Sequence, residues 1–155
     1  MLRISKLTDY ATGLMTHLAH APRRLVSAQQ LSRELGLPPP TVAALLKKLT
    51  RAGLVSSTRG VGGGYSLVRS PAEISIAQVI GAIEGPVALT ECALGEGMCA
   101  LEADCATRAN WRLISRAVEV ALEAVSLADM TATVALPVTR TVRFQAPGKP
   151  SSGNA

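Results

Sequence analysis

From Leu7 to Ala19 apolar side chains recur at i, i+3 and i+4: Leu7, Tyr10, Ala11, Leu14, Met15 and Leu18. That spacing predicts an amphipathic helix, which Ala21-Pro22 ends. Ser27 reads as the N-cap of a second, short helix over Ala28–Leu35. Gln30 stands where a capping box places it, and Gly36 is the stop. Leu37-Pro38-Pro39-Pro40 makes a rigid turn whose last proline can sit in a helix's first turn, where its missing N–H costs nothing. A third helix follows over Thr41–Ala52, with Val42, Leu45, Leu46 and Leu49 facing inward and Lys47, Lys48 and Arg51 outward.

The pattern then changes. Leu54–Thr58 and Tyr65–Val68 read as two short strands around a glycine-rich turn, hence a hairpin. Pro71 breaks the chain, and a short helix is predicted over Ile76–Ile83, ended by Gly85-Pro86. Val87–Ala106 has no clear period. From Thr107 to Met130 two neighbouring apolar stripes return: Trp111, Ile114, Val118, Ala121 and Val125, and beside them Leu113, Ala117, Val120, Ala124 and Leu127. A long helix this apolar, in so small a protein, is expected to bury its face against a helix of a second subunit. Residues 131–155 include the Pro-, Gly- and Ser-rich stretch 145–153 and read as a disordered tail.

Composition narrows the fold. Of 155 residues 48% are hydrophobic but only 3% aromatic, so the core must be aliphatic. That favours helices packed on helices over an aromatic-rich sandwich. The expected class is mainly α: a winged helix-turn-helix over residues 1–85, a cysteine-bearing loop over 86–106, a long dimerisation helix over 107–130, and the tail. No apolar run approaches the ~20 residues of a membrane span. Met1-Leu2-Arg3-Ile4-Ser5-Lys6 lacks the apolar core of a secretory signal. The expected location is the cytoplasm, where thiols stay reduced.

The net charge of +5 is unevenly placed. Residues 1–70 hold 10 Lys/Arg against two acids, Asp9 and Glu34, for +8; the remainder carries −3. The basic half is the half with the order helix, short helix, turn, helix, glycine-tipped hairpin. In that arrangement the third helix enters the major groove of double-stranded DNA, with Pro40 and Thr41 nearest the base edges. Lys47, Lys48 and Arg51 neutralise phosphates, and Arg59 on the hairpin tip suits a narrow minor groove. Gly62 and Gly63 allow a tight turn and close backbone approach. They are not a nucleotide-binding loop, since no Walker lysine follows and a strand comes next. No nucleophile–base pair or paired catalytic carboxylates can be placed, so an enzyme is not expected.

The three cysteines, Cys92, Cys99 and Cys105, lie within one loop, separated by six and five residues. Three neighbouring thiolates need a compensating cation or cluster, and soft sulfur selects zinc, copper(I) or iron–sulfur centres. Structural zinc sites usually use paired cysteines two to four residues apart, so this wider spacing fits a cluster better. Uncoordinated cysteines and a metal-free thiol switch remain the alternatives. A fourth ligand is missing, because His17 and His20 both sit in the first helix. The carboxylates Asp9, Glu91, Glu96, Glu102 and Asp104 are candidates.

Leu2-Arg3-Ile4-Ser5-Lys6-Leu7-Thr8-Asp9-Tyr10-Ala11, Gly53–Gly60, Gly62-Gly63-Gly64-Tyr65 and the three cysteines together resemble the Rrf-type winged-helix regulators. Glu84-Gly85-Pro86, Thr90-Glu91-Cys92 and Asn110-Trp111-Arg112 look closest to the SUF-system assembly regulators of that family. The resemblance spans Met1 to about Leu127. It implies a homodimer that binds a DNA operator and holds a labile iron–sulfur cluster, 2Fe–2S or 4Fe–4S, on Cys92, Cys99 and Cys105. It implies further that cluster occupancy controls promoters, here as a repressor of cluster-assembly genes. The histidine that Isc-type members place three residues after the last cysteine is Arg108 here. Asp9 matches the aspartate with which nitric-oxide-sensing members reach across from the other subunit, and is the expected fourth ligand. Ala43 and Ala44 stand where Isc-type members carry polar residues. Two alternatives stay open: a nitric oxide or redox-responsive regulator of the same fold, and a zinc-bound structural adaptor.

Overall fold

The computed structural model describes residues 3–95 and 105–132, and of Cys92 the backbone alone. The chain runs α1 (Lys6–Ala19), α2 (Ala28–Leu35), α3 (Pro39–Arg51), β1 (Val55–Thr58), β2 (Gly64–Leu67), a single 3-10 turn at Pro71–Glu73, α4 (Ile76–Glu84), α5 (Glu91–Leu94), α6 (Arg108–Glu123) and α7 (Leu127–Thr131). The sequence-predicted tail falls outside the described residues from 133 onward. No helix among the described residues is long and apolar enough to cross a membrane.

The first three helices form because their caps and apolar spacing agree. Ser5 and Ser27 cap α1 and α2 by accepting from the amides of Thr8 and Gln30. At Ser27 the box is only half made: the Gln30 side chain donates along the helix to Glu34 at 2.8 Å. Helix α3 starts at Pro39, two residues earlier than its spacing predicts, because Pro39 and Pro40 both fit the first turn. Val42, Leu45, Leu46 and Leu49 are buried on the side where α3 packs against α2, α4 and β1, each burial stabilising by roughly 1.5–3 kcal/mol. The core is aliphatic as composition requires, from Leu14, Met15 and Leu18 through Val55, Ile74 and Val79; Tyr10 and Tyr65 pack at its edge.

The hairpin is antiparallel, with Val55 opposite Leu67 and Ser57 opposite Tyr65. It is tied to the helices by a third short segment absent from the sequence pattern. Val26, just before α2, exchanges both backbone hydrogen bonds with Tyr65, at 3.0 and 2.9 Å. This bridge explains Gly64: a Cβ there would lie 2.8 Å from the Val26 carbonyl oxygen.

The helix predicted over Thr107–Met130 is two helices. It stops at Glu123, and a new start is set by Ser126, whose hydroxyl accepts from the Asp129 amide while the Asp129 carboxylate accepts from the Ser126 amide. The backbone of residues 125–127 is held against residues 74–76 by Ile76 N–H to Val125 O at 2.9 Å and Leu127 N–H to Ile74 O at 2.7 Å. Leu127 is fully buried among the residues of the winged-helix core. The chain's last described helix therefore packs on α1 and the 3-10 turn, and residues 107–130 are not one continuous helix.

Candidate nucleic-acid interface and cysteine segment

One face of α3 is left uncovered by the core. Pro39, Pro40, Ala43, Ala44, Lys47 and Arg51 are exposed, and Thr41 is half-buried. Spacings of three and four residues put Pro40, Ala43, Ala44, Lys47 and Arg51 on a common side. The prolines carry no N–H, and the first amide after them, Thr41, donates to the Pro38 carbonyl at 3.0 Å. Arg59, Gly60, Val61 and Gly62 form the exposed tip of the hairpin, and Gly63 is half-covered within it. Gly63 is needed by the hairpin itself, since a Cβ there would lie 2.3 Å from the Thr58 carbonyl oxygen. The glycine run thus has a structural cause, whatever it does at a ligand.

Lys48 differs from its neighbour. Its ammonium donates to the Ile83 carbonyl in the last turn of α4 at 2.8 Å. The next residue, Glu84, accepts from the Ser5 amide at 3.3 Å and from the Thr8 hydroxyl, which is buried. The Thr8 and Ser5 hydroxyls hold the Glu84 carboxyl below the usual range, with a smaller contribution from the Lys48 charge. One corner, Ile83–Glu84, therefore fastens α3 and the start of α1 together. Gly85 follows with φ +93°, a conformation L side chains rarely adopt, and leads into the cysteine segment. Sequence spacing puts Lys48 on the outward face and gives no sign of this tie, because Ile83 comes 35 residues later.

Of the expected cluster ligands, Cys92 falls in α5, Cys99 lies outside the described residues, and Cys105 is half-buried just ahead of α6. The Thr107 hydroxyl, 3.5 Å from the Cys105 sulfur, lowers that thiol below its usual range, helped by the amides of Thr107 and Arg108 and the Arg108 charge. A thiol biased toward thiolate suits a soft metal or an iron–sulfur centre. Asp9 is exposed on α1, beside a groove of about 400 Å³ lined by Ile4, Lys6, Thr12, Ile76, Ile80 and Met130. No described residue of the cysteine segment lines that groove. Among the described residues no three His, Cys, Asp or Glu side chains converge as a metal site. A second groove beside Asp9 reaches His17 and His20, and His17 pairs with Glu34 at 2.7 Å across α1 and α2.

Helix α6 packs one side inward through Ser115, whose hydroxyl accepts from the Leu89 amide at 3.1 Å. Its other side leaves Trp111 at 41%, Leu113 at 53% and Ile114 at 44% exposure, with Val120 beyond them. These residues belong to the two stripes read from the sequence.

Comparison with known proteins places this architecture. A family profile described as "Rrf2: Iron-dependent Transcriptional regulator" matches residues 4–133. An HTH-type transcriptional regulator of Azotobacter vinelandii, ORF2, is 37% identical over 84% of this chain and 80% of its own. The HTH-type transcriptional regulator IscR of Aliivibrio salmonicida is 34% identical over 83% of this chain and 77% of its own. Among solved structures, CymR, the global cysteine regulator of B. subtilis, superposes with a TM-score of 0.66 at 29% identity, covering 84% of this chain and 97% of that one. T. potens IscR superposes at 0.63 and 30% identity, covering 83% and 85%.

Proposed function

The chain belongs to the Rrf2 family of iron-dependent transcriptional regulators, and from that premise we propose that it is a homodimeric repressor of iron–sulfur assembly genes. In this reading Cys92, Cys99 and Cys105 hold an iron–sulfur cluster, and Asp9 of the other subunit completes its ligands. Bound there, the cluster would supply a labile tether between the thiolates, sensitive to iron, oxygen and nitric oxide.

The observation that carries the reading is the Ile83–Glu84 corner. The segment with the cysteines leaves α4 at Gly85, directly after the turn that holds Lys48 of α3 and the start of α1. In this reading a change in how that segment is held reaches the DNA-reading helix through the Lys48–Ile83 bond and the start of α1 through Glu84, and so biases one of two DNA-binding states. In this account Lys48 sets the position of α3, while Lys47, Arg51 and Arg59 meet phosphates and the minor groove. The exposed residues of α6 are the surface on which two subunits pair. Asp9 is exposed and no described residue of the cysteine segment lines the grooves beside it, in keeping with a ligand given to the partner.

Anaerobic reconstitution of wild type beside Asp9→Ala and Cys92→Ala tests the ligand set. Cys92→Ala loses the visible absorbance, and Asp9→Ala keeps a cluster with a shifted spectrum that decays faster in air. A spectrum and lifetime identical to wild type in Asp9→Ala would remove Asp9 from the ligands. A second reading, a redox-responsive or nitric-oxide-responsive regulator, is supported by Cys105, which stays partly accessible with the Thr107 hydroxyl 3.5 Å from its sulfur. Treating the cluster-free protein with nitric oxide or with hydrogen peroxide while following operator binding separates the two: a response without the cluster supports the second reading, and none supports the first.

A further inference from the structure

The leading end of α3 has no hydrogen-bond donor to offer a base or a phosphate apart from one hydroxyl. Pro39 and Pro40 have no N–H, the Thr41 amide is bonded to Pro38 at 3.0 Å, and the exposed side chains over the first two turns are Pro39, Pro40, Ala43 and Ala44. Long donors begin only at Lys47. Lys48 is turned to the Ile83 carbonyl. In the major groove the leading residues of a recognition helix meet the base edges. There the bidentate readers of guanine and adenine are arginine, lysine, asparagine and glutamine, and none occupies these positions.

Only one apolar feature in the major-groove code distinguishes bases, the C5-methyl group of thymine. A patch of two alanine methyls and two proline rings, with the Thr41 methyl and hydroxyl beside it, complements that group. The flanking charges of Lys47, Arg51 and Arg59 supply affinity from the phosphates without sequence information. We infer that Pro40, Ala43 and Ala44 are specificity determinants that read thymine methyls, so that each operator half-site is recognised through thymines under the start of α3. This inference rests on the DNA-binding reading above and extends it to the chemistry of the bases selected.

The experiment uses the full-length wild-type protein. Duplexes selected from a random pool define the bound sequence. Each thymine in it is then replaced singly by uracil, which removes the methyl and keeps the base pair. At the contacted thymines each replacement weakens binding about threefold to fourfold, the equivalent of one buried methyl. Placing 5-bromouracil at the same position restores binding, because bromine fills the methyl's volume. Ala43→Asn removes the uracil sensitivity of the thymine beneath it while the protein still binds duplex DNA. Selected sites that bind equally well with uracil throughout, or that share guanines and no thymine, overturn the inference and leave the DNA-binding function intact. A protein that selects no sequence and binds no duplex overturns both.

Discussion

Single residues at the Ile83–Glu84 corner join parts of the chain that are far apart in sequence. Glu84 accepts from the Ser5 amide and the buried Thr8 hydroxyl, and these partners hold its carboxyl below the usual range. A depressed carboxyl stabilises the fold at pH values above its unfolded pKa, about 4.3, and the contribution is lost as pH falls through the lower folded value. The stability difference between wild type and Glu84→Ala, measured by urea midpoints, is therefore full at pH 7 and shrinks below pH ~4. An equal difference at pH 7 and at pH 3 would show that the carboxylate's charge contributes nothing. None of this was legible in the sequence, where Glu84 was only part of a Glu-Gly-Pro stretch. The pairing of Ser5, Thr8 and Glu84 spans more than 70 residues, and local spacing carries no trace of it.

Among elements, the helices with agreeing caps and apolar faces were readable to within two residues. Helix α2, with Ser27 before it and Gly36 after it, lies where its signals put it. Two elements were not read correctly, for different reasons. The break at Ala124–Ser126 had a sequence signal, Ser126 followed by Asp129, but the continuous apolar stripe outweighed it. Tertiary bonding to residues 74–76 decides the outcome in favour of the cap. The Val26 segment had no readable signal, because one bridged residue is too short for alternation to register. Helix α3 has an analogous split along its basic side, with Lys47 exposed on the outer face and Lys48 tied to α4. Replacing each by methionine separates contact from positioning. Lys47→Met lowers the slope of log affinity against log salt by about one per lost phosphate contact, whereas Lys48→Met weakens binding and leaves the slope unchanged. Equal loss of slope in both would make Lys48 a phosphate contact after all.

For the molecule as a whole, the opposed charges of the two halves were the most informative reading of the sequence. The half with +8 carries the exposed face of α3 and the hairpin tip. The acidic half is not a separate body, since α7 returns Leu127 to the core built by the basic half. That return means the cysteine segment is fastened to the winged helix at both ends, by Gly85 after α4 and by α6 leading back into α7. Under the proposed function, holding the segment differently acts on the core from two sides, a route by which ligand state couples to DNA affinity. The cysteine ligand set was named from spacing and resemblance alone, because Cys99 lies outside the described residues and Cys105 shows only the donor chemistry.

The most direct measurement is operator affinity of the same protein before and after anaerobic iron–sulfur reconstitution, determined at fixed salt on the selected duplex. The account predicts an affinity difference of at least fivefold, the lower end of ordinary coupling between sites, and its loss in Cys92→Ala. Equal affinity of loaded and unloaded wild type would contradict it.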